Sequence, residues 1–461
     1  MLIWKWRALA VSNRLTSHQS TPPAVTGEAF VARLKALNIE KRFAVAISGG
    51  RDSMALARLA ADYSAQSGAP VLALTVDHGL RPEAASEAAE VAGWCEKAGL
   101  RHMTLVWVGE KPTTGIQEAA RNARYHLLAG AAAEAGFDAL LTAHSADDQA
   151  ETVFMRLSRG AGPDGLSAMQ DTTFIAAGAG APLRLIRPLL GFSRAQLTAT
   201  VEAFNQSYID DQSNDDHRYE RIRTRALLAA LEEQGLLTQK ALLRSAARMQ
   251  KTKQRLRAAE ELAFRSLGGC FYGWGGASVE RRAAETLDQD VAGGLIRRLI
   301  YAVSGADHAP DDDAAMGAFE RALVTGSATL GGTLLKVKGE RLWFMREPAA
   351  LLGRAGVDAI GPMVLAPGQK LLWDNRFIIE APASSGAVEC DIIPIGDVGG
   401  EAGSGVSQLF SGPPDGLLAT PGAYRNKSLI GAPSGLFMSR SNISMVSLAP
   451  ERFDGGIIRF L

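Results

Sequence analysis

The sequence predicts an α/β protein: an N-terminal doubly wound parallel sheet, a helical middle domain and a small β-rich C-terminal domain. Three features of the 461-residue chain point there. From residue 43 to 157, short apolar runs alternate with longer amphipathic ones. From 221 to 267, leucines such as Leu227, Leu228, Leu231, Leu242 and Leu243 recur at helical spacing. Beyond 362, short apolar runs are broken by Gly, Pro and Ser. Strand patterns that alternate with helical ones imply βαβ units and hence parallel pairing. A chain of this length fits about three domains.

Taken in order, residues 1–27 carry Lys5, Arg7 and Arg14 and no acid. Their apolar patch at 8–11 is too short for a secretory core, so they read as a flexible extension. Residues 28–225 form the first domain. Strand 43–47 leads to helix 53–66, strand 71–76 to helix 82–97, strand 102–108 to helix 116–135, and strand 139–142 to helix 147–157. Open sheets of this kind bind ligands outside the carboxyl ends of their strands. Residues 226–353 read as a mostly helical connector that contacts the substrate and closes on a hairpin, 332–338 with 341–346. A linker at 354–362 precedes a C-terminal domain, 362–461, with strands at 370–373, 376–380, 391–395 and 428–432.

Composition narrows the class. Lys plus Arg and Asp plus Glu both number 49, so any surface for nucleic acid must be local. The three cysteines, Cys95, Cys270 and Cys390, have no zinc or CxxC spacing, which fits a reducing cytoplasm. No apolar run approaches the roughly 20 residues of a membrane span.

The most informative stretch is Phe43-Ala-Val-Ala-Ile-Ser-Gly-Gly-Arg-Asp-Ser53. It reads as a buried strand, a glycine turn and the start of a helix. The unpaired N–H groups of a helix N-terminus suit a phosphate. Ser48, Gly49, Gly50, Arg51, Asp52 and Ser53 are therefore candidate nucleotide contacts. The glycines are adjacent and no Lys follows, so this is not a Walker loop. The order resembles the pyrophosphate loop of ATP pyrophosphatases, which cleave ATP between its α- and β-phosphates.

Further motifs follow at strand ends. In Thr75-Val-Asp-His-Gly, Asp77 and His78 can stand beside a nucleotide or simply cap a turn. In Gly115-Ile-Gln-Glu-Ala-Ala-Arg-Asn-Ala-Arg-Tyr125, Arg121 and Arg124 lie three apart on a helix and can converge on one anion. The same pattern fits a surface helix with a Glu118–Arg121 pair. In Thr142-Ala-His-Ser-Ala-Asp-Asp-Gln-Ala-Glu-Thr152, His144, Asp147 and Asp148 crowd a helix start. They fit a Mg²⁺ ligand or proton acceptor, or carboxylates resting against the helix dipole. The acidic loop holding Asp211, Asn214 and Asp216 runs into a helix carrying Arg221 and Arg223. Finally, Arg244, Arg248, Lys251 and Arg255 form a one-signed helical stripe suited to phosphates, or to a solvated face.

Taken together, SGGRDS, VDHGLR, EAARNARY, HSADDQAET and DDQSNDDHRYERIRTR resemble, in this order, the bacterial tRNA(Ile)-lysidine synthetases. The resemblance is dense over 43–225 and rests on short pieces near the C-terminus. It implies a PP-loop ATP pyrophosphatase sheet, ATP and Mg²⁺ as cofactors, and tRNA(Ile) with a CAU anticodon and L-lysine as substrates. The implied reaction adenylates the C2 oxygen of the wobble cytidine and then replaces AMP by lysine. Asp52, Arg121, Arg124, Asp147 and Asp148 are the implied catalytic groups, with Asp52 and Asp148 on the metal. Ser48 to Ser53, Asp77, His78 and His144 would contact ATP. Asp211, Asn214, Asp216, Arg221, Arg223 and the basic stripe would contact lysine or tRNA. A homodimer is compatible with all of this. The alternative within the superfamily is a base thiolase, which wants cysteines near the site; Cys95 is the only one before residue 270.

Overall fold

The computed structural model describes residues 22–459 except 40, 110, 113, 176–182, 211–219, 307, 354–358, 384–388, 398–409, 411, 427, 434–442 and 455–457. Residues 1–21 of the expected extension, and the candidates Asp211, Asn214 and Asp216, lie outside the described residues.

The first domain follows the expected alternation. After Gly27–Ala36 (α1) come Phe43–Ala46 (β1), Arg51–Ser67 (α2), Val71–Asp77 (β2), Ala84–Lys97 (α3) and Arg101–Val106 (β3). Ile116–Glu134 (α4), Ala139–Leu141 (β4), Ala146–Leu157 (α5) and the short Pro163–Leu166 (α6) follow. Two strands that the sequence did not flag complete it, Thr172–Ile175 (β5) and Leu183–Ile186 (β6), then Arg194–Ala203 (α7). The sheet order is β5-β6-β4-β1-β2-β3. Alternate residues of β1 face opposite sides, as the strand period requires. Phe43 and Val45 join a core with α1, α2, α3 and α7, while Ala44 packs with Tyr125, Leu128 and Ala132 of α4. The sheet is thus covered on both faces.

Strands β1, β2, β3 and β4 run parallel, as expected, and β6 joins them in that sense, but β5 is antiparallel to β6. Only residues 176–182 separate those two strands. A parallel return needs a crossover of a dozen or more residues. The chain builds β2 and β3 on one side of β1 and then crosses to β4 on the other. That reversal leaves a crevice at the carboxyl ends of β1 and β4.

The middle is helical, with Glu220–Glu233 (α8) and Gln239–Ser266 (α9) packed against α5 through Ala150, Val153, Leu242 and Ala246. The expected hairpin, Thr333–Lys338 with Arg341–Arg346, is the centre of a five-stranded antiparallel sheet. Its other strands are Cys270–Phe271, Ala277–Glu280 and Ser327–Leu330, and helices Gln289–Ser304 and Asp312–Thr325 pack on it. Two small antiparallel sheets make the C-terminal part.

The C-terminal part docks through buried charge. Trp373 and Phe377 pair across a tight turn in which Asp374 and Asn375 both take positive φ, a conformation Asp and Asn tolerate. Asp374 accepts from Arg346 at 2.9 and 3.0 Å and from Arg376 at 2.5 Å. Asp374→Asn keeps the turn but leaves two buried guanidinium groups without a carboxylate. Breaking such a pair costs about 3–5 kcal/mol. The variant is expected to unfold at a clearly lower temperature in scanning calorimetry. The chain then returns to the other domains. Phe453 accepts two bonds from Arg298, and Ile458–Arg459 pairs parallel with β5.

Candidate active site at the sheet's switch point

A cleft of about 690 Å³ opens at the carboxyl ends of β1, β2 and β4. Its floor is the Ser48–Ser53 turn. Gly50 is the N-cap of α2, so the first N–H groups of that helix are left for a ligand. The serine hydroxyls do a different job from the one expected. Ser53 Oγ accepts from Ser48 N–H at 3.2 Å and donates to Gly50 O at 2.8 Å, which staples the loop shut. Gly49 has φ +84°, and a Cβ there would lie 2.6 Å from Ile209 Cδ1 and 2.8 Å from Val91 Cγ2. Its carbonyl accepts from Ile209 N–H at 2.9 Å, tying the acidic segment to the phosphate loop. Gly49→Ala combines left-handed strain of about 1–2 kcal/mol with overpacking of about 1–3 kcal/mol. It is expected to weaken ATP-analogue binding at least tenfold by titration calorimetry.

The starts of α5 and α7 lie side by side. Ala146 N–H donates to Phe192 O at 2.8 Å, and Arg194 N–H donates to Asp147 Oδ2 at 2.7 Å. The Arg194 guanidinium then meets three carboxylates: Asp148 Oδ1 at 3.2 Å, Asp52 Oδ2 at 3.4 Å and Glu151 Oε1 at 3.5 Å. Arg225 reaches Glu151 from α8 at 2.9 Å. Burial pushes the Asp52 carboxyl up, against the pull of Arg194 and Arg51. Burial also opposes charge on Asp148, but the Ser145 N–H and the Arg194 guanidinium outweigh it and hold that carboxyl below its usual range.

Two histidines face the cleft, and both are pushed toward the neutral ring. Burial, Arg187 and Arg124 push His144 far below its ordinary value, outweighing Asp148. Burial and Arg124 lower His78, whose ring stands edge-on to Trp107. Arg121 and Arg124 flank the Tyr125 ring, each 5.1 Å from its centre.

A second cavity of about 380 Å³ adjoins the first, and His144 borders both. Arg121, Arg156, Arg187, Arg221, Lys253, Arg257, Arg297, Arg298 and Arg452 line it, with Asp164 as the one carboxylate among the described residues. These side chains come from all three parts of the chain. Asp164 is held by Arg297 at 2.5 Å and Lys253 at 3.3 Å. Burial, followed by neighbouring cations, lowers Lys253 and Arg257 despite the pull of Asp164. Crowded, desolvated cations of this kind favour an anionic ligand.

The structure therefore gathers Ser48, Gly50, Arg51, Asp52, Ser53, His78, Arg124, His144 and Asp148 around one cleft. Gly49 lies behind its floor, and Asp77 closes a turn by accepting from Gly79 N–H at 2.8 Å. Arg121 and Arg124 do not share a lining: Arg124 walls the first cleft and Arg121 the second. Asp147 is bound to backbone. Arg221 lines the second cavity, and Arg223 is exposed on α8. The stripe Arg244, Arg248, Lys251 and Arg255 is exposed; a different face of α9 supplies Lys253 and Arg257. Arg194 went unnoticed in the sequence, although Ser193 and Gln196 form a capping box that marks its helix start. Cys95 is buried in α3 away from the cleft, and burial pushes its thiol up to about 11.

A phosphate-ready helix start at a switch point, facing carboxylates and arginines, defines a nucleotide-binding α/β domain. Accordingly, residues 26–231 match the PP-loop domain family. Among curated proteins, a tRNA(Ile)-lysidine synthase of Methylobacterium sp. (strain 4-46) is 41% identical over 66% of this chain and 88% of its own. A tRNA(Ile)-lysidine synthase of Ruegeria pomeroyi is 33% identical over 85% of this chain and 88% of its own. The chain belongs to the tRNA(Ile)-lysidine synthase family. Among solved structures, a U34-tRNA thiolase of Methanococcus maripaludis is 19% identical over 49% of this chain and 79% of its own, at a TM-score of 0.41. That likeness is too loose to carry an argument.

Proposed function

We propose that this chain ligates L-lysine to C2 of the wobble cytidine of tRNA(Ile) with a CAU anticodon, with conversion of ATP to AMP and pyrophosphate. The observation that carries this is the junction at His144. A nucleotide cleft adjoins there a cavity lined, among the described residues, by nine cationic side chains, which suits an RNA strand delivering one base. The C2 oxygen attacks the α-phosphate and pyrophosphate leaves. The lysine amine then attacks C2, AMP leaves with the oxygen, and the amine proton passes to a base.

The α2 N-terminus and Ser48–Ser53 hold the phosphates, and Arg124 faces the developing charge. No group of three or more His, Cys, Asp or Glu among the described residues could hold a metal alone. Magnesium is commonly bound through one or two carboxylates with phosphate oxygens and water. Asp52 fits such a role, because its Oδ1 is buried with no hydrogen-bond donor, and Asp148 stands across Arg194 from it. Magnesium would neutralise charge on the leaving pyrophosphate. The lysine amine, with an ordinary pKa of about 10.4, must shed a proton, for which Asp148 is the better placed carboxylate. Asp211, Asn214 and Asp216 are proposed for lysine; Arg221, Arg223 and the α9 cations for tRNA. A homodimer is compatible with this reading. No helix among the described residues is long and apolar enough to cross a membrane.

The test is pyrophosphate release from ATP and Mg²⁺ with CAU-anticodon tRNA(Ile), with and without radiolabelled lysine. Label entering the tRNA is expected. Release without label would sink the lysine assignment and leave another base-adenylating reaction.

A further inference from the structure

We infer that Arg194 is a positioning residue for the ligation: its guanidinium sets the spacing between Asp52 on the phosphate loop and Asp148 and Glu151 on α5. This rests on the function proposed above and adds a residue to it. Arg194 lines the cleft, with its side chain 16% exposed. Its three contacts, at 3.2, 3.4 and 3.5 Å, are longer than the 2.7–2.9 Å usual for one dedicated charge-assisted bond. The planar fork is therefore shared among three carboxylates instead of clamped on one. Both ends of the residue are fixed, since Asp147 holds its backbone N–H at 2.7 Å. The adjacent acids divide the work: Asp147 places the Arg194 backbone, and Asp148 receives its guanidinium.

Charge alone does not explain the arrangement. Arg225 on Glu151 and Arg51, 3.5 Å from Asp52, already supply cations to the outer carboxylates. Arg194 is the group that touches all three. Lysine at this position would restore the charge but reach one acceptor at a time, because an ammonium is a point charge and not a fork.

The experiment compares R194A and R194K with the wild-type chain in pyrophosphate release, ATP-analogue binding and thermal unfolding. R194A is expected to lose about 100-fold in kcat, the scale of one lost preorganised electrostatic contact. KM for ATP should stay within about threefold, because the lost group acts through the carboxylates and not on ATP binding itself. R194K should recover no more than about a tenth of the wild-type kcat, and millimolar guanidinium should partly rescue R194A. An unchanged kcat in R194A, or a wild-type kcat in R194K, overturns the inference. So does a joint loss of analogue binding, melting temperature and kcat without guanidinium rescue, which is the pattern of a purely structural staple. If R194A is insoluble, R194K decides alone. Wild-type chain that releases no pyrophosphate would instead refute the function.

Discussion

Asp148→Asn is expected to cripple ligation, whereas Asp147→Asn is expected to cost far less. The two acids are neighbours at the same helix start, and the sequence offers no reason to separate them. Their partners do. Asp148 lines the cleft, accepts from Ser145 N–H at 2.8 Å and meets Arg194 at 3.2 Å. An amide there removes the charge and turns N–H groups toward a guanidinium. The loss in kcat for pyrophosphate release should be about 10²–10³-fold, as when a charge-stabilising group is removed from an active site. Asp147 uses Oδ2 to accept one backbone N–H. Asparagine offers a carbonyl oxygen for the same bond, so the cost is about that of one hydrogen bond weakened, 0.5–1.5 kcal/mol, or roughly tenfold at most. Single-turnover assays on both variants check the order. A reversed order would assign the chemistry to Asp147.

The second large effect concerns RNA. Reversing Arg121 and Arg257 together to Glu is expected to weaken binding of the tRNA by about 10²-fold or more, since two desolvated phosphate contacts are lost and two repulsions gained. The dependence of log affinity on log salt should become shallower by about two, one for each lost contact. ATP-analogue binding should be unchanged, because both residues line the second cavity and neither lines the first. Reversing Arg244 and Arg248 should cost less, because their side chains are exposed and their phosphate contacts screened by solvent. Filter binding across a salt series measures both pairs. Equal losses would return the RNA surface to the exposed stripe.

The phosphate loop was legible because strand, adjacent glycines and helix start all lie within Phe43–Ser53, and local pattern alone places them. The α5 start was legible for the same reason. Arg194 was not. It lies in a stretch with only a capping box to mark it, and its place in the cleft arises because Phe192 and Ala146 meet in space. Lys253 and Arg257 were passed over for a neighbouring stripe because helical spacing shows which residues share a face, not which face the fold encloses. The antiparallel β5 escaped notice because its direction depends on how few residues separate it from β6. In each case the missing information was tertiary.

The return of the chain through Arg452 and Phe453 gives manufacture a direction. Every described residue lining the proposed nucleotide cleft has been synthesised by Arg225. The cationic cavity has not, since Arg298 donates to the Phe453 carbonyl 155 residues downstream and Arg452 lines the wall itself. Domains fold from the N-terminus while a protein is still on the ribosome. A nascent chain thus holds every described residue of the proposed nucleotide cleft early and completes the cationic cavity only at the end.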